Sequence, residues 1–90
     1  MMVRPDEDYV RAHRHSIAHR AEIVGSSQCG CFYCSHTFPP SEIEEWVDLD
    51  DAGVGQTALC PSCGIDSVIG DKCGYPISVE FLNRMNAYWF

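Results

Sequence analysis

Apolar side chains recur at helical spacing near the start of the chain. Steps of three and four residues predict a single helix over Asp6–Val24 with one buried face. That face comprises Val10, His13, Ile17, Ala21 and Val24. Acidic residues lead the predicted helix and Gly25 follows it, which suits the helix dipole and a helix stop. We therefore expect residues 1–28 to be a helical segment that packs on the rest of the chain.

Shorter patterns fill the middle of the chain. Two prolines precede Ser41 and Glu44, which stand in a capping-box pattern and predict a short helix over Ser41–Val47. The acidic stretch "DLDDAGVGQ" has no periodicity and is expected to be a solvated loop, whereas "TALC" predicts a short strand. The apolar residues of "GIDSVIG" fit either a strand or a single helical turn.

The last pattern is again helical. Ser78 is a candidate N-cap for "VEFLNRMNAYWF", which carries a wide apolar face to its end. The three final rings, Tyr88, Trp89 and Phe90, either complete the core of so short a chain or form an exposed anchor for a protein partner or a homodimer contact. Together the patterns predict a small α+β domain with a helix at each end.

Four of the six cysteines form two Cys-x-x-Cys pairs. Two such turns can bring four sulfurs to one metal ion at about 2.3 Å and complete a closed tetrahedral zinc site, which stabilises a fold and leaves no position for water. No βαβ pattern accompanies either pair, so a thioredoxin-like redox site is disfavoured. We predict one zinc ion per chain, bound by Cys31, Cys34, Cys60 and Cys63.

Cys29 and His36 flank the first pair and are candidate alternate ligands. A Cys₃His site is as acceptable to zinc as a Cys₄ site, so either residue could replace one member of the pair. The simpler alternatives are that His36 donates a hydrogen bond to a ligand sulfur or faces water, and that Cys29 is a small buried thiol.

Size and charge restrict the classes of function. Ninety residues make one domain with a marginal apolar core, for which a metal is a common staple. Neither a transmembrane run nor a secretory signal is seen, so we expect a cytoplasmic chain with no membrane partner, where paired cysteines bind metal more often than they form disulfides. A net charge of −7 disfavours binding to nucleic acid, whose phosphates require Lys and Arg.

A second group of polar residues shares one sector of the predicted N-terminal helix. His15, His19 and Glu22 stand at steps of four and three, so two imidazoles and a carboxylate could form a second metal site. The sequence "HRHSIAH" is not the His-Glu-x-x-His of a zinc protease. We favour the simpler interpretation that these residues form the solvated face of the helix, or dock against the rest of the chain as partnered histidines.

The quoted segments carry a family resemblance. The stretches "CGCFYC", "SEIEEW" and "TALCPSCGIDSVIG" resemble those of a set of small uncharacterised bacterial or phage-borne cytoplasmic proteins with zinc-ribbon-type knuckles. The resemblance implies a soluble protein and implies little about activity. The paired knuckles are similar to rubredoxin-like ribbons and, alternatively, to treble-clef domains, and the extended "GYPIS" fits a ribbon better. Residues 29–90 would then be the zinc-binding module and would form one domain with residues 1–28.

Three functions follow from these patterns. The first is a zinc-stabilised adaptor or regulatory module that binds proteins and has no catalysis of its own. The second is a small metal-dependent hydrolase or nuclease that uses the His15, His19 and Glu22 group. The third is a nucleic-acid-binding zinc ribbon, which the net charge disfavours. We expect the first.

Overall fold

The computed structural model describes residues 8–90. Its helices are α1 (Asp8–Arg11), α2 (Arg20–Val24) and α3 (Val79–Trp89). Its strands are β1 (Cys29–Cys31), β2 (Thr37–Phe38), β3 (Trp46–Leu49), β4 (Gly55–Ala58) and β5 (Val68–Gly70). Single 3₁₀ turns span Ala12–Ser16, Pro40–Glu42 and Asp71–Cys73. The chain is a small α+β protein, as predicted.

The predicted single N-terminal helix is wrong, because the segment is broken. α1 passes into a 3₁₀ turn, and the chain is extended at Ile17 before α2 begins. Ala18 adopts a left-handed φ of 51°, and the amide of His19 donates to the carbonyl of Gln56 at 2.7 Å. Since the backbone amides of Ala18 and His19 donate to strand β4 and not to the preceding turn, the helical hydrogen-bond ladder stops there.

The buried face of this segment also differs from the predicted one. Ile17 and Val24 are 62% and 61% exposed. The residues that turn to the interior are Ala12, Ser16, His19 and Ile23. The break between α1 and α2 resets the helical phase, so the three-and-four spacing across it no longer marks one face. Asp6 and Glu7, where the predicted helix starts, lie outside the described residues.

A three-stranded antiparallel sheet in the order β2-β1-β5 forms the centre of the fold. Cys31 pairs with Val68, and Cys29 pairs with Gly70 on one side and Phe38 on the other. Both faces of this sheet are covered. One core contains the two cysteines of β1 together with Ile23, Phe38, Ile43 and Val68, and the other contains Phe32, Ile69, Phe81, Leu82 and Met85. The stretch "GIDSVIG" thus supplies a strand.

Gly30 lets α3 pack directly on the central strand. A Cβ at this position would lie 2.7 Å from Cδ1 of Leu82 and 2.9 Å from Cγ2 of Ile77, both closer than van der Waals contact allows. The prediction of α3 itself is confirmed, since the hydroxyl of Ser78 accepts a hydrogen bond from the amide of Phe81 at 3.1 Å. The glycine between the cysteines therefore serves helix packing.

The predicted helix over Ser41–Val47 is wrong. Only the 3₁₀ turn Pro40–Glu42 forms, without a side-chain cap, and β3 follows as one arm of an antiparallel hairpin with β4. Trp46 and Val47 are β-formers whose pairing across the hairpin outweighs the local capping pattern. The loop predicted for "DLDDAGVGQ" is correct only for its middle, residues 50–54, because its ends belong to β3 and β4. Among residues 8–90, no helix has the length and apolar character needed to cross a membrane.

Candidate metal centre

The first Cys-x-x-Cys pair lies in a tight turn over residues 31–36, which we call the first knuckle. It connects β1 to β2. The amide of Cys31 donates to the carbonyl of His36 at 3.0 Å, and the amide of Ser35 donates to the carbonyl of Cys31 at 2.8 Å. Ser35 has a φ of 63°, in the left-handed region that few side chains other than glycine occupy.

The second pair repeats this arrangement over residues 60–65, the second knuckle, between β4 and β5. The amide of Cys60 donates to the carbonyl of Ile65 at 2.9 Å, and the amide of Gly64 donates to the carbonyl of Cys60 at 2.9 Å. Gly64 has a φ of 79°, in the left-handed region that glycine adopts without steric cost. The two turns have the same hydrogen-bond pattern, and Ser35 is the counterpart of Gly64.

The two knuckles face each other and bring four sulfurs together. The Sγ atoms of Cys31, Cys34, Cys60 and Cys63 all lie within 4.8 Å of one another. Two contacts cross between the knuckles, at 3.6 Å from Cys31 to Cys63 and 3.7 Å from Cys34 to Cys60. Sulfurs bound at about 2.3 Å to one tetrahedral ion stand about 3.8 Å apart, whereas a disulfide requires about 2.05 Å. The geometry therefore fits a metal ion and not a disulfide.

Backbone amides surround this cluster. The amide of Tyr33 lies 3.4 Å from the sulfur of Cys31, and the amide of Ser62 lies 3.3 Å from that of Cys60. Amides two residues after the other two cysteines make the equivalent contacts. The hydroxyl of Ser67 adds a buried contact of 3.1 Å to Cys31. Such donors stabilise thiolates and hold ligand side chains in orientation, as expected around a metal.

Burial and backbone hydrogen bonds together set the pKa values of the cysteine thiols in the cluster. Burial raises the pKa of Cys63 to about 12 and also raises the pKa of Cys34. Burial acts in the same direction on Cys60, but hydrogen bonds from the amides of Cys63 and Ser62 outweigh it and lower the pKa of that thiol. Since a metal binds thiolates, binding at this cluster displaces protons from Cys34 and Cys63.

Helix α3 fixes the first knuckle from outside. The hydroxyl of Ser35 donates to Oδ1 of Asn83 at 2.5 Å, and the side-chain amide of Asn86 donates to the carbonyl of Tyr33 at 3.0 Å. The two residues in each contact are far apart in sequence, by 48 positions in the first contact and 53 in the second. The C-terminal helix thus positions the backbone that carries Cys31 and Cys34.

The structure places Cys29 and His36 beside the four-sulfur group but not in it. Cys29 is fully buried in β1, where burial and the nearby Asp71 raise its pKa to about 12. The ring of His36 is exposed and stacks on Phe38 at a centroid distance of 5.7 Å. The backbone amide of His36, and not its imidazole, contacts the sulfur of Cys34.

The candidate second metal site, His15, His19 and Glu22, forms only in part, and its members make structural contacts. Nδ1 of His15 lies 2.9 Å from a carboxylate oxygen of Glu22. His19 is buried and uses both ring nitrogens, because Nε2 accepts from the amide of Ala58 at 3.1 Å and Nδ1 donates to the carbonyl of His15 at 2.5 Å. This leaves one imidazole and one carboxylate, fewer than the three protein ligands typical of catalytic zinc.

The three final rings are packed on one side and open on the other. Trp89 stacks on His13 at 3.9 Å, and Phe90 contacts Tyr33 at 4.9 Å and Phe32 at 5.9 Å. The exposed fractions are 40% for Tyr88, 38% for Trp89 and 60% for Phe90.

Sequence reasoning missed Ser35 and Ser67. Superposing "CFYCSH" on "CPSCGI" would have found the first, because Ser35 then falls on the glycine position of the other knuckle. No local signal marks Ser67, whose contact with Cys31 depends on the pairing of β5 with β1.

Comparison with known proteins adds no relative, since no protein-family model, curated protein or solved structure matches the chain. The class of the chain therefore follows from the site alone: a small α+β protein with a four-cysteine cluster suited to a metal ion.

Proposed function

We propose that the chain is a zinc-stabilised protein-interaction module of the zinc-ribbon type that acts in the cytoplasm without catalysis of its own. One zinc ion, held by Cys31, Cys34, Cys60 and Cys63, would join the two knuckles. The exposed aromatic end of α3, the set Tyr88, Trp89 and Phe90, would contact a protein partner. The ribbon assignment is supported by the second knuckle, which leads into strand β5, whereas a treble clef would open a helix there.

Zinc is favoured by the chemistry of the donor set. Four sulfur ligands in a tetrahedral arrangement suit Zn²⁺, whereas Mg²⁺ and Ca²⁺ prefer oxygen. All four protein ligands are thiols, so the ion would have no open position for water and would act as a structural support. Structural zinc contributes about 10–16 kcal/mol of binding free energy that is linked to folding, which suits a chain of this size.

The observation that carries the interaction function is the aromatic surface on the first knuckle. Trp89 and Phe90 contact His13 and Tyr33, yet each keeps more than a third of its surface in water. Aromatic side chains held rigidly and left exposed are the residues that dominate binding energy at protein interfaces. No comparable observation favours a hydrolase, because His19 is committed to backbone contacts, and the charge of −7 opposes nucleic acid.

Two measurements test the proposal. Native mass spectrometry of protein expressed with zinc should find one zinc ion per chain and report whether the chain self-associates. A library of displayed peptides should yield binders to the zinc-loaded protein, and Trp89→Ala should weaken them about tenfold or more. The matched control is Val79→Ala at the other end of α3, also exposed, which should leave binding unchanged.

The two outcomes are separable. A chain with no bound zinc would overturn the metal assignment. Zinc-loaded protein that selects no peptide and does not self-associate would overturn the interaction function while leaving the metal site intact. Circular dichroism of both variants would establish that any loss of binding is not a loss of folding.

A further inference from the structure

An open cavity of about 160 Å³ lies at the edge of the aromatic surface. Its lining comes from four parts of the chain: the turn after α1 with Ile17, the first knuckle, the two residues that follow the second knuckle, and Phe90. The lining residues are His13, Ser16, Ile17, Phe32, Asp66, Ser67 and Phe90. It adjoins the four-cysteine cluster through Ser67, whose hydroxyl also contacts the sulfur of Cys31.

The rings around this cavity form one connected series. Phe90 contacts Phe32 at 5.9 Å, Phe32 contacts His13 at 5.7 Å, and His13 stacks on Trp89 at 3.9 Å. Each ring is held by a neighbouring ring, so the cavity wall is pre-organised. Aromatic rings held in this way attract cations through their negative faces, and a flat guanidinium suits them best because it can also stack.

Asp66 supplies a carboxylate in the same cavity. It is exposed and makes no ion pair with any residue among positions 8–90. Arg14 follows His13 in sequence but does not line the cavity. With a net charge of −7 on the whole chain, the potential around this opening favours a positive group.

The chain already contains one example of this type of contact. The guanidinium of Arg20 lies over the ring of Trp46 at 4.4 Å and donates to the carbonyl of Gly55 at 2.8 Å. There an arginine combines a ring face with an oxygen acceptor. The cavity offers the same two kinds of partner, the exposed ring of Phe90 and the carboxylate of Asp66, and no arginine of the described chain lines it.

We infer that this cavity takes the guanidinium of an arginine side chain presented by the protein partner, stacked on the exposed ring of Phe90 and paired with Asp66. This inference rests on the proposed interaction function and specifies its partner as one with an exposed arginine. The neighbouring Trp89 and Tyr88 would contact the residues that flank this arginine.

Two peptide libraries test the inference. Both have the same random flanks, and the fixed central residue is arginine in one and citrulline, its neutral isostere, in the other. Zinc-loaded protein should retain the arginine library about tenfold better. Asp66→Asn should abolish this preference. The matched control, Asp51→Asn in the exposed turn of the hairpin, removes the same charge at a distance and should keep the preference.

Each result decides between the two claims. Equal retention of both libraries, or an undiminished arginine preference in Asp66→Asn, would overturn the arginine inference while the interaction function stands. A loss of the arginine preference in both Asp66→Asn and Asp51→Asn would show that the preference depends only on net charge, and would also overturn the arginine inference. Retention of neither library would overturn the arginine inference and, in protein that also does not self-associate, the interaction function itself. Nuclear magnetic resonance shifts on adding N-acetylarginine amide should fall on the amides of Phe32, Ser67 and Phe90, and shifts elsewhere would contradict the assigned cavity.

Discussion

The amide of Ala58 donates a hydrogen bond to Nε2 of the buried His19 at 3.1 Å, and this contact fixes the imidazole in its neutral form. Because Nε2 accepts, the proton lies on Nδ1, which donates to the carbonyl of His15. The two bonds join strand β4 to the 3₁₀ turn after α1 through the residue that precedes α2, and β4 leads directly into the second knuckle. A histidine that the sequence offers as a metal ligand thus acts as a structural connection.

This arrangement predicts a pH dependence of stability. Burial lowers the pKa of His19 from its usual value of 6.5 in spite of the opposing hydrogen bond to His15. The unfolded chain therefore takes up this proton first as the pH falls below 6.5, and the free energy of unfolding decreases by up to about 1.4 kcal/mol per pH unit. Well above pH 6.5 the imidazole is neutral in both the folded and the unfolded chain, so His19 contributes no slope there.

The measurement is chemical unfolding from pH 8 to pH 5.5 for the wild type and for His19→Gln, with bound zinc recorded at each pH. Loss of zinc at low pH affects both proteins, so the difference between the profiles isolates His19. The wild type should lose stability more steeply below pH 6.5. Parallel profiles would contradict the assignment.

The four-cysteine cluster predicts that substitutions of Cys34 and Cys29 have opposite effects on zinc binding. Cys34→Ser removes one of the four sulfurs and should abolish one-to-one zinc binding and destabilise the fold. Cys29→Ala removes a buried thiol outside the cluster and should keep the full zinc content, at a cost of about 1 kcal/mol for the space it leaves. Native mass spectrometry distinguishes the two, and zinc lost from Cys29→Ala but kept by Cys34→Ser would reverse the ligand assignment.

The contact between Gly30 and α3 predicts a steric coupling. Gly30→Ala would place a Cβ 2.7 Å from Leu82 in a fully buried region, and should destabilise the protein by about 1–3 kcal/mol without changing zinc content. Leu82→Val opens space at the same point, so the double variant should be more stable than the sum of the single effects implies. Urea unfolding of the four proteins measures this coupling, and strict additivity would refute it.

Ala18 predicts a stabilising substitution. Its left-handed φ of 51° is unfavourable for any residue with a Cβ, so Ala18→Gly should raise the free energy of unfolding by about 1 kcal/mol. Ala21→Gly, three residues later in α2 and also exposed, is the control and should lower it by about as much. Thermal unfolding of both variants gives the sign directly, and the same sign for both would exclude backbone strain at Ala18 as the cause.

The sequence by itself determined the features that depend on local spacing. Each Cys-x-x-Cys turn can direct both of its sulfurs at one metal ion, and the structure contains the four-sulfur cluster that the two pairs predicted. Ser78 begins α3 because an N-cap acts within one helical turn. These predictions needed no knowledge of distant residues.

Tertiary structure decided the features that depend on competition between partners. Residues 18–20 could form hydrogen bonds within a helix or to strand β4, and in the structure they bond to β4. The predicted helix is therefore broken, and the side chain of His19 is buried. Trp46 and Val47 form a strand although a helix-capping pattern precedes them in sequence. Pairing with β4 stabilises this strand, and the local sequence does not reveal that partner. The cavity beside the cluster is lined by His13, Asp66 and Phe90, which come together only when the turn after α1, the segment after the second knuckle and the end of the chain after α3 meet.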